Sequence, residues 1–208
     1  MKTPLANLYQ THQAKIASLN YEDAIKHILN IFTDIWIDEY INQCKRITNL
    51  TEIQLESFKY IYDDVDTLMQ LGNTELDIEC DSRLLVAFGQ SIPLKRKREE
   101  SRLRGWIGPT HKFLGKEWNK GHFIAHRIGG SVDGSEINVF QQKKTLNQAL
   151  SDEGKLYTKM ESYCAKHPGT FCFSRPVYTD KSAIPSFLEY GVLMKDLNLW
   201  VEYFNNQL

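Results

Sequence analysis

Long apolar runs are missing from this chain: none approaches about 18 residues, so no membrane-spanning helix is expected. The opening, Met1 to Gln13, lacks the apolar stretch of a secretory signal, which makes a cytoplasmic location the expectation. Cysteine is scarce, with Cys44, Cys80, Cys164 and Cys172 the only four and no Cys-x-x-Cys pair among them. That excludes a disulfide scaffold, argues against a thiolate zinc site and fits a reducing compartment. Internal repeats and low-complexity segments are absent as well. What is left is an ordinary globular composition, 42% hydrophobic over 208 residues with a mean hydropathy of -0.42. It suits one large domain, or a smaller core with an appendage.

Net charge is also small, at -1, but it is unevenly placed. Residues 1–75 carry 6 Lys and Arg against 11 Asp and Glu, whereas the remainder carries 19 against 15. Ten basic side chains and three acidic ones (Glu99, Glu100, Glu117) crowd into residues 93–127. An acidic module joined to a phosphate-facing one would give this asymmetry, as would a solvated charge run beside an acidic helical surface.

Periodicity predicts a helix over 20–44, with Asn20 as N-cap, Glu22 and Asp23 in the first turn, and an apolar stripe from Ile25 to Tyr40. A second helix is expected over 51–71, because Thr51 and Gln54 form a capping-box pair and Gly72 stands where a C-terminal glycine belongs. Ser82 to Gly89 reads as a buried strand or as a helix end, and periodicity does not choose. The basic run Lys95 to Arg98 is compatible with a nuclear-localisation signal, and Gly105 to Pro109 reads as a strand and turn. A boundary is placed near residue 75. It separates a helical N-terminal region, 1–75, from a domain over 76–208. Helical character from Leu150 to Tyr163 is interrupted at Ser151 to Gly154, and two or three strands follow between Phe171 and Phe204.

The stretch that carries chemistry is 119–147. Asn119-Lys120-Gly121-His122 leads into apolar residues and the Gly129-Gly130 turn, then Asn138, Gln142 and Asn147 fall 16, 20 and 25 residues after His122. This set resembles the DNA/RNA non-specific endonuclease family, the ββα-metal nucleases with an Asp-Arg-Gly-His signature. The resemblance covers roughly residues 100–195. It implies an α+β fold, an antiparallel sheet with a ββα-metal core, preceded here by the helical region. It also implies a phosphodiester-cleaving enzyme acting on DNA, with RNA as a second substrate.

On the matched positions, His122 is implied as the general base, since an imidazole with a pKa of about 6.5 is largely neutral near pH 7. Asn147 is implied as a ligand of Mg²⁺, with Mn²⁺ as a substitute, and Asn138 and Gln142 as residues that orient the site or touch phosphate. Lys120 replaces the signature arginine and Asn119 the aspartate, which keeps one charge and removes another. Arg104 and Arg127 are candidates for gripping the scissile phosphate. The metal-site acid is implied as Glu161, with Glu153 as fallback. An unbroken helix would put Glu161 about 21 Å from Asn147, so Ser151 to Leu156 must loop out, with Gly154 permitting the break.

An enzyme of this kind inside its own cell needs restraint or delivery. The N-terminal region is accordingly read as a docking, oligomerising or inhibitory element, a site for a regulatory protein or self-association, of a toxin or an antiviral effector. Three alternatives stand beside this reading: a non-catalytic nucleic-acid binder on the same fold, an HNH-type nuclease that uses His126 as well as His122 with a different metal, and an interaction protein built on the N-terminal helices.

Overall fold

The helix expected over 20–44 forms as α2, Tyr21–Cys44. Asn20 caps it as the sequence indicates, its Oδ1 accepting the Asp23 backbone N–H at 2.9 Å. Ile28, Phe32 and Trp36, spaced four apart, are fully buried along its inner face. A shorter helix, α1, Ala6–Ala17, precedes it and buries Tyr9 and Ile16. This computed structural model describes residues 5–44, 48–64, 82–92, 115–131 and 136–208. The basic run Lys95–Arg98, Arg104 and Gly105–Pro109 lie outside the described residues, as does residue 75 itself.

Of the helix expected over 51–71, the described residues, 51–64, form none. Its described part is a β-hairpin, β1 Leu50–Leu55 and β2 Phe58–Asp63, with Leu55 opposite Phe58. Ile53, Phe58, Tyr60, Ile61 and Tyr62 favour a pleated, half-buried surface, and that preference outweighs the capping-box pattern of Thr51 and Gln54. Glu56 takes a positive φ of 54° at the turn. The ambiguous segment resolves as a strand, β3 Arg83–Gln90, whose first six residues are all buried.

Six strands form one antiparallel sheet in the order β1-β2-β3-β6-β7-β8, with β6 Phe171–Val177, β7 Phe187–Leu193 and β8 Leu199–Asn205. Strands from both sides of residue 75 share it, so the N-terminal segment is a layer of this fold rather than a separate helical module. On one face, α1 and α2 pack against Leu85, Phe88, Phe171 and Phe173. The other face buries Leu84, Tyr190, Val192 and Phe204 under a second layer. Among the described residues, no helix is long and apolar enough to cross a membrane.

That second layer is built within the connection between the neighbouring strands β3 and β6. It holds a hairpin, β4 Trp118–His122 with β5 Val139–Lys143, then a four-residue helix, α3 Lys144–Asn147, and the longer α4, Asp152–Lys166. Two strands followed by helix is the order the family resemblance implies. Asn206, fully buried after β8, ties this unit to the large sheet. Its Oδ1 accepts from Lys143 N at 2.8 Å, and its Nδ2 donates to the carbonyls of Gln141 and Pro185 at 3.0 and 2.8 Å.

Candidate active site

The hairpin presents His122 at the end of β4, opposite Val139. Glycine immediately before it has a steric reason. A Cβ on Gly121 would lie 2.3 Å from Gln142 Oε1 and 2.4 Å from Gln142 Cβ, so only glycine lets the Gln142 side chain cross β4 there. Gln142 is itself buried, and its Nε2 has no hydrogen-bond partner among the described residues. A buried donor left in that state costs about 1–3 kcal/mol, which a group accepting from it would offset.

After β4 the chain runs through a short 3-10 turn, His126–Ile128. Asn138 holds this segment in place. Its Nδ2 donates to Ile124 O at 2.9 Å and Ser131 O at 2.8 Å, while its Oδ1 accepts Ile124 N at 2.9 Å. With both donors engaged and the side chain fully buried, Asn138 positions the loop and does not line the cleft. Of the two duties the resemblance implies for it, orienting the site and touching phosphate, these bonds serve the first, and its place among the candidate catalytic residues is corrected to that of a positioning residue.

The helix after Asn147 breaks, though not where the sequence suggested. Ala149 adopts a positive φ of 54°, which ends α3, and Leu150 N returns to Thr145 O at 3.0 Å. Ser151 then caps α4, accepting Gly154 N on its Oγ at 3.0 Å. Ser151 to Leu156 does not loop out, because Asp152 onward is already helical. Gly154 serves close packing instead, since a Cβ there would lie 2.4 Å from Thr145 O. The reversal carries α4 back beside the hairpin, and Glu161 faces the same cleft as Asn147.

That cleft, about 280 Å³, is lined by His122, Arg127, Gln142, Asn147, Glu161, His126, Tyr157 and Ala125. Lys120 and Glu153 do not line it; Glu153 is exposed in the first turn of α4. Burial holds the Lys120 ammonium below the usual lysine range. Arg127 Nη2 donates to Glu161 Oε2 at 3.0 Å and to Thr158 O at 3.1 Å. Burial nonetheless pushes the Glu161 carboxyl up to about 7, and Arg127 only partly offsets it. One lining residue, Tyr157, escaped the sequence reading, and another, His126, entered it only in an alternative. Tyr157 lies one turn before Glu161 on α4, a spacing of four that places both on one side, and its hydroxyl donates to His122 O at 3.4 Å. His126, named from the sequence only for the HNH-type alternative, reaches the cleft through the 3-10 turn.

Among the described residues there is no group of three or more His, Cys, Asp or Glu side chains able to cage a metal. What the cleft offers is an exposed amide oxygen on Asn147 and a carboxylate on Glu161 that carries its charge at a disadvantage. Two hard oxygen donors of this kind suit a largely hydrated cation such as Mg²⁺, not a fully protein-bound one. Burial pushes the Tyr157 hydroxyl well above its usual range, with Glu161 adding to the effect, so it stays protonated.

No protein-family model matches the sequence, and no curated protein matches it. Solved structures do resemble it loosely. They include the Sda1 nuclease with a bound zinc ion, at 14% identity over 77% of this chain and 76% of that one, with a TM-score of 0.39. An extracellular endonuclease resembles it at 13% identity over 78% and 80%, TM-score 0.36, and an extracellular nuclease at 11% over 78% and 86%, TM-score 0.33.

Proposed function

We propose that the cleft hydrolyses phosphodiester bonds, and that the protein is an Mg²⁺-dependent endonuclease acting on DNA and also on RNA. The observation that carries this is the convergence of His122, Arg127, Asn147 and Glu161, drawn from a hairpin, a 3-10 turn and two helices, around one open cleft. His122 takes the proton from the attacking water. As the water oxygen bonds to phosphorus, the bond to the sugar oxygen breaks, and that oxygen regains a proton from solvent. Arg127 supplies a guanidinium to the non-bridging phosphate oxygens. Asn147 and Glu161 would hold the cation, which when bound offsets charge growing on the phosphoryl and leaving oxygens. Gln142 lies against Gly121, the residue before His122, with an N–H to give, and Asn138 fixes the loop after β4.

Arg127 meets phosphate, which every linkage carries, so sequence-independent and salt-dependent action is expected. Supercoiled plasmid and a structured RNA, incubated with Mg²⁺ or with EDTA, provide the test. Nicking in Mg²⁺ and none in EDTA is the expected outcome. A plasmid shifted in a gel but uncut under every cation would show a binder on this fold, and cutting restricted to Zn²⁺ or Ni²⁺ would favour the HNH-type alternative with His126 engaged.

A further inference from the structure

α4 separates two concavities. Tyr157 and Glu161 face the cleft, while Lys159, Tyr163 and Lys166 face a second groove of about 500 Å³, closed by His167, Trp200 of β8 and the turn around Asn198. No carboxylate lines this groove among the described residues. Glu202 lies next to it, but accepts the Trp200 indole N–H at 2.9 Å, which fixes the ring by its edge and leaves its face to other contacts. Lys159 Nζ stands 5.7 Å from the centre of that ring. Tyr163 and His167 stack on each other, with centroids 4.2 Å apart at 30°.

We propose that this groove binds a segment of single-stranded nucleic acid, one base stacked on Trp200 and successive phosphates on Lys159 and Lys166. Flat rings beside cations that share their groove with no carboxylate among the described residues suit a sequence-tolerant strand site, because every base has a π-face and every linkage a charge. The two lysines lie seven residues apart on one side of α4, about 10 Å along its axis. A single phosphate does not span that distance, so the spacing addresses a strand and not a mononucleotide. The inference rests on the endonuclease reading to this extent: the same strand, crossing the width of α4, about 10–12 Å, would continue into the cleft.

The test is the anisotropy of a 5′-labelled octathymidylate in EDTA, so that binding is read without cleavage. The double change Lys159→Gln with Lys166→Gln and the single change Trp200→Leu should each weaken binding at least about fivefold, in line with losing one base stack or its phosphate grip. Trp200→Phe keeps a stacking face and should bind within about threefold of the original, which guards against a misfolded Trp200→Leu. Binding unchanged within twofold in the double lysine variant and in Trp200→Leu overturns the proposal. So does thymidine monophosphate binding as tightly as the octamer, which would make the groove a nucleotide pocket. Polyglutamate displacing the octamer at equal charge would instead assign it to an acidic protein partner. The two readings fail separately: groove-dependent octamer binding without plasmid cleavage sinks only the endonuclease, and cleavage with groove-independent binding sinks only the groove.

Discussion

Two Arg–Glu pairs lie on opposite faces of the large sheet, and they behave differently. Arg175 and Glu189, on β6 and β7, join at 3.0 and 3.1 Å with side chains 3% and 0% exposed. The Tyr9 hydroxyl of α1 also donates to Glu189, and the Trp36 indole of α2 donates to that hydroxyl at 2.8 Å. Arg127 and Glu161 join at 3.0 Å, but their side chains are 43% and 14% exposed. In the first pair the protein completes the bonding, which locks the N-terminal helices to the sheet. In the second, burial of the carboxyl outweighs what the single arginine offsets, and its pKa rises to about 7. Leaving a charge half-compensated costs stability, and proteins accept that cost where a ligand completes the set.

Breaking each pair should sharpen the contrast. Glu189→Ala leaves Arg175 buried and unpaired, and should remove about 3–5 kcal/mol of stability in urea unfolding. Arg127→Ala should change stability by less than about 1 kcal/mol, since that pair is part exposed, yet should lower plasmid cleavage and weaken DNA binding. Equal destabilisation by the two changes would erase the distinction.

A pH series separates them further. Glu161 has a folded pKa near 7 against an ordinary value of 4.5, so between those limits the folded chain keeps a proton that the unfolded chain has lost. Stability therefore falls as pH rises through 4.5 to 7, by roughly 3 kcal/mol in all, and is flat in this term outside that window. Glu161→Gln should remove the slope and melt higher than the parent at pH 8. Added Mg²⁺ should raise the melting temperature of the parent at pH 8 and leave that of Glu161→Gln unmoved. A parent whose stability climbs with pH through this window would show the carboxyl is well paired after all.

Gly121→Ala forces its Cβ into Gln142 and should cost about 1–3 kcal/mol, measured by thermal melting. Combining it with Gln142→Ser should recover part of that loss, because the crowding atoms are gone. The smallest effect expected is on metal demand. Asn147→Ala should raise the Mg²⁺ concentration for half-maximal cleavage a few-fold, on the order of one lost ligand in a mostly hydrated shell. An identical metal titration would remove Asn147 from the cation site.

Legibility in the sequence followed the range of the forces involved. Gly121, His122, Asn138, Gln142 and Asn147 fall within one hairpin and the short helix after it, so the family resemblance could match them by their spacing in sequence. α2 was readable because its stripe repeats over 24 residues. The hairpin β1-β2 was not, since Thr51 and Gln54 mimic a cap and what decides the segment is pairing with β3, a contact distant in sequence. α1 buries only Tyr9 and Ile16, too sparse a pattern to announce a helix. The return of Glu161 to the cleft depends on a left-handed Ala149, a conformation that no residue-type preference signals. Tyr9 and Glu189, 180 residues apart, meet only through the sheet.

The most direct test of the cleft as a hydrolytic site is the single-turnover rate of plasmid nicking in Mg²⁺ by the parent protein and by His122→Ala. Loss of about 10²–10⁴-fold, with DNA binding and melting temperature kept, is the predicted result. Nicking by His122→Ala within about threefold of the parent rate would contradict it, because a base on which catalysis depends is worth far more than that.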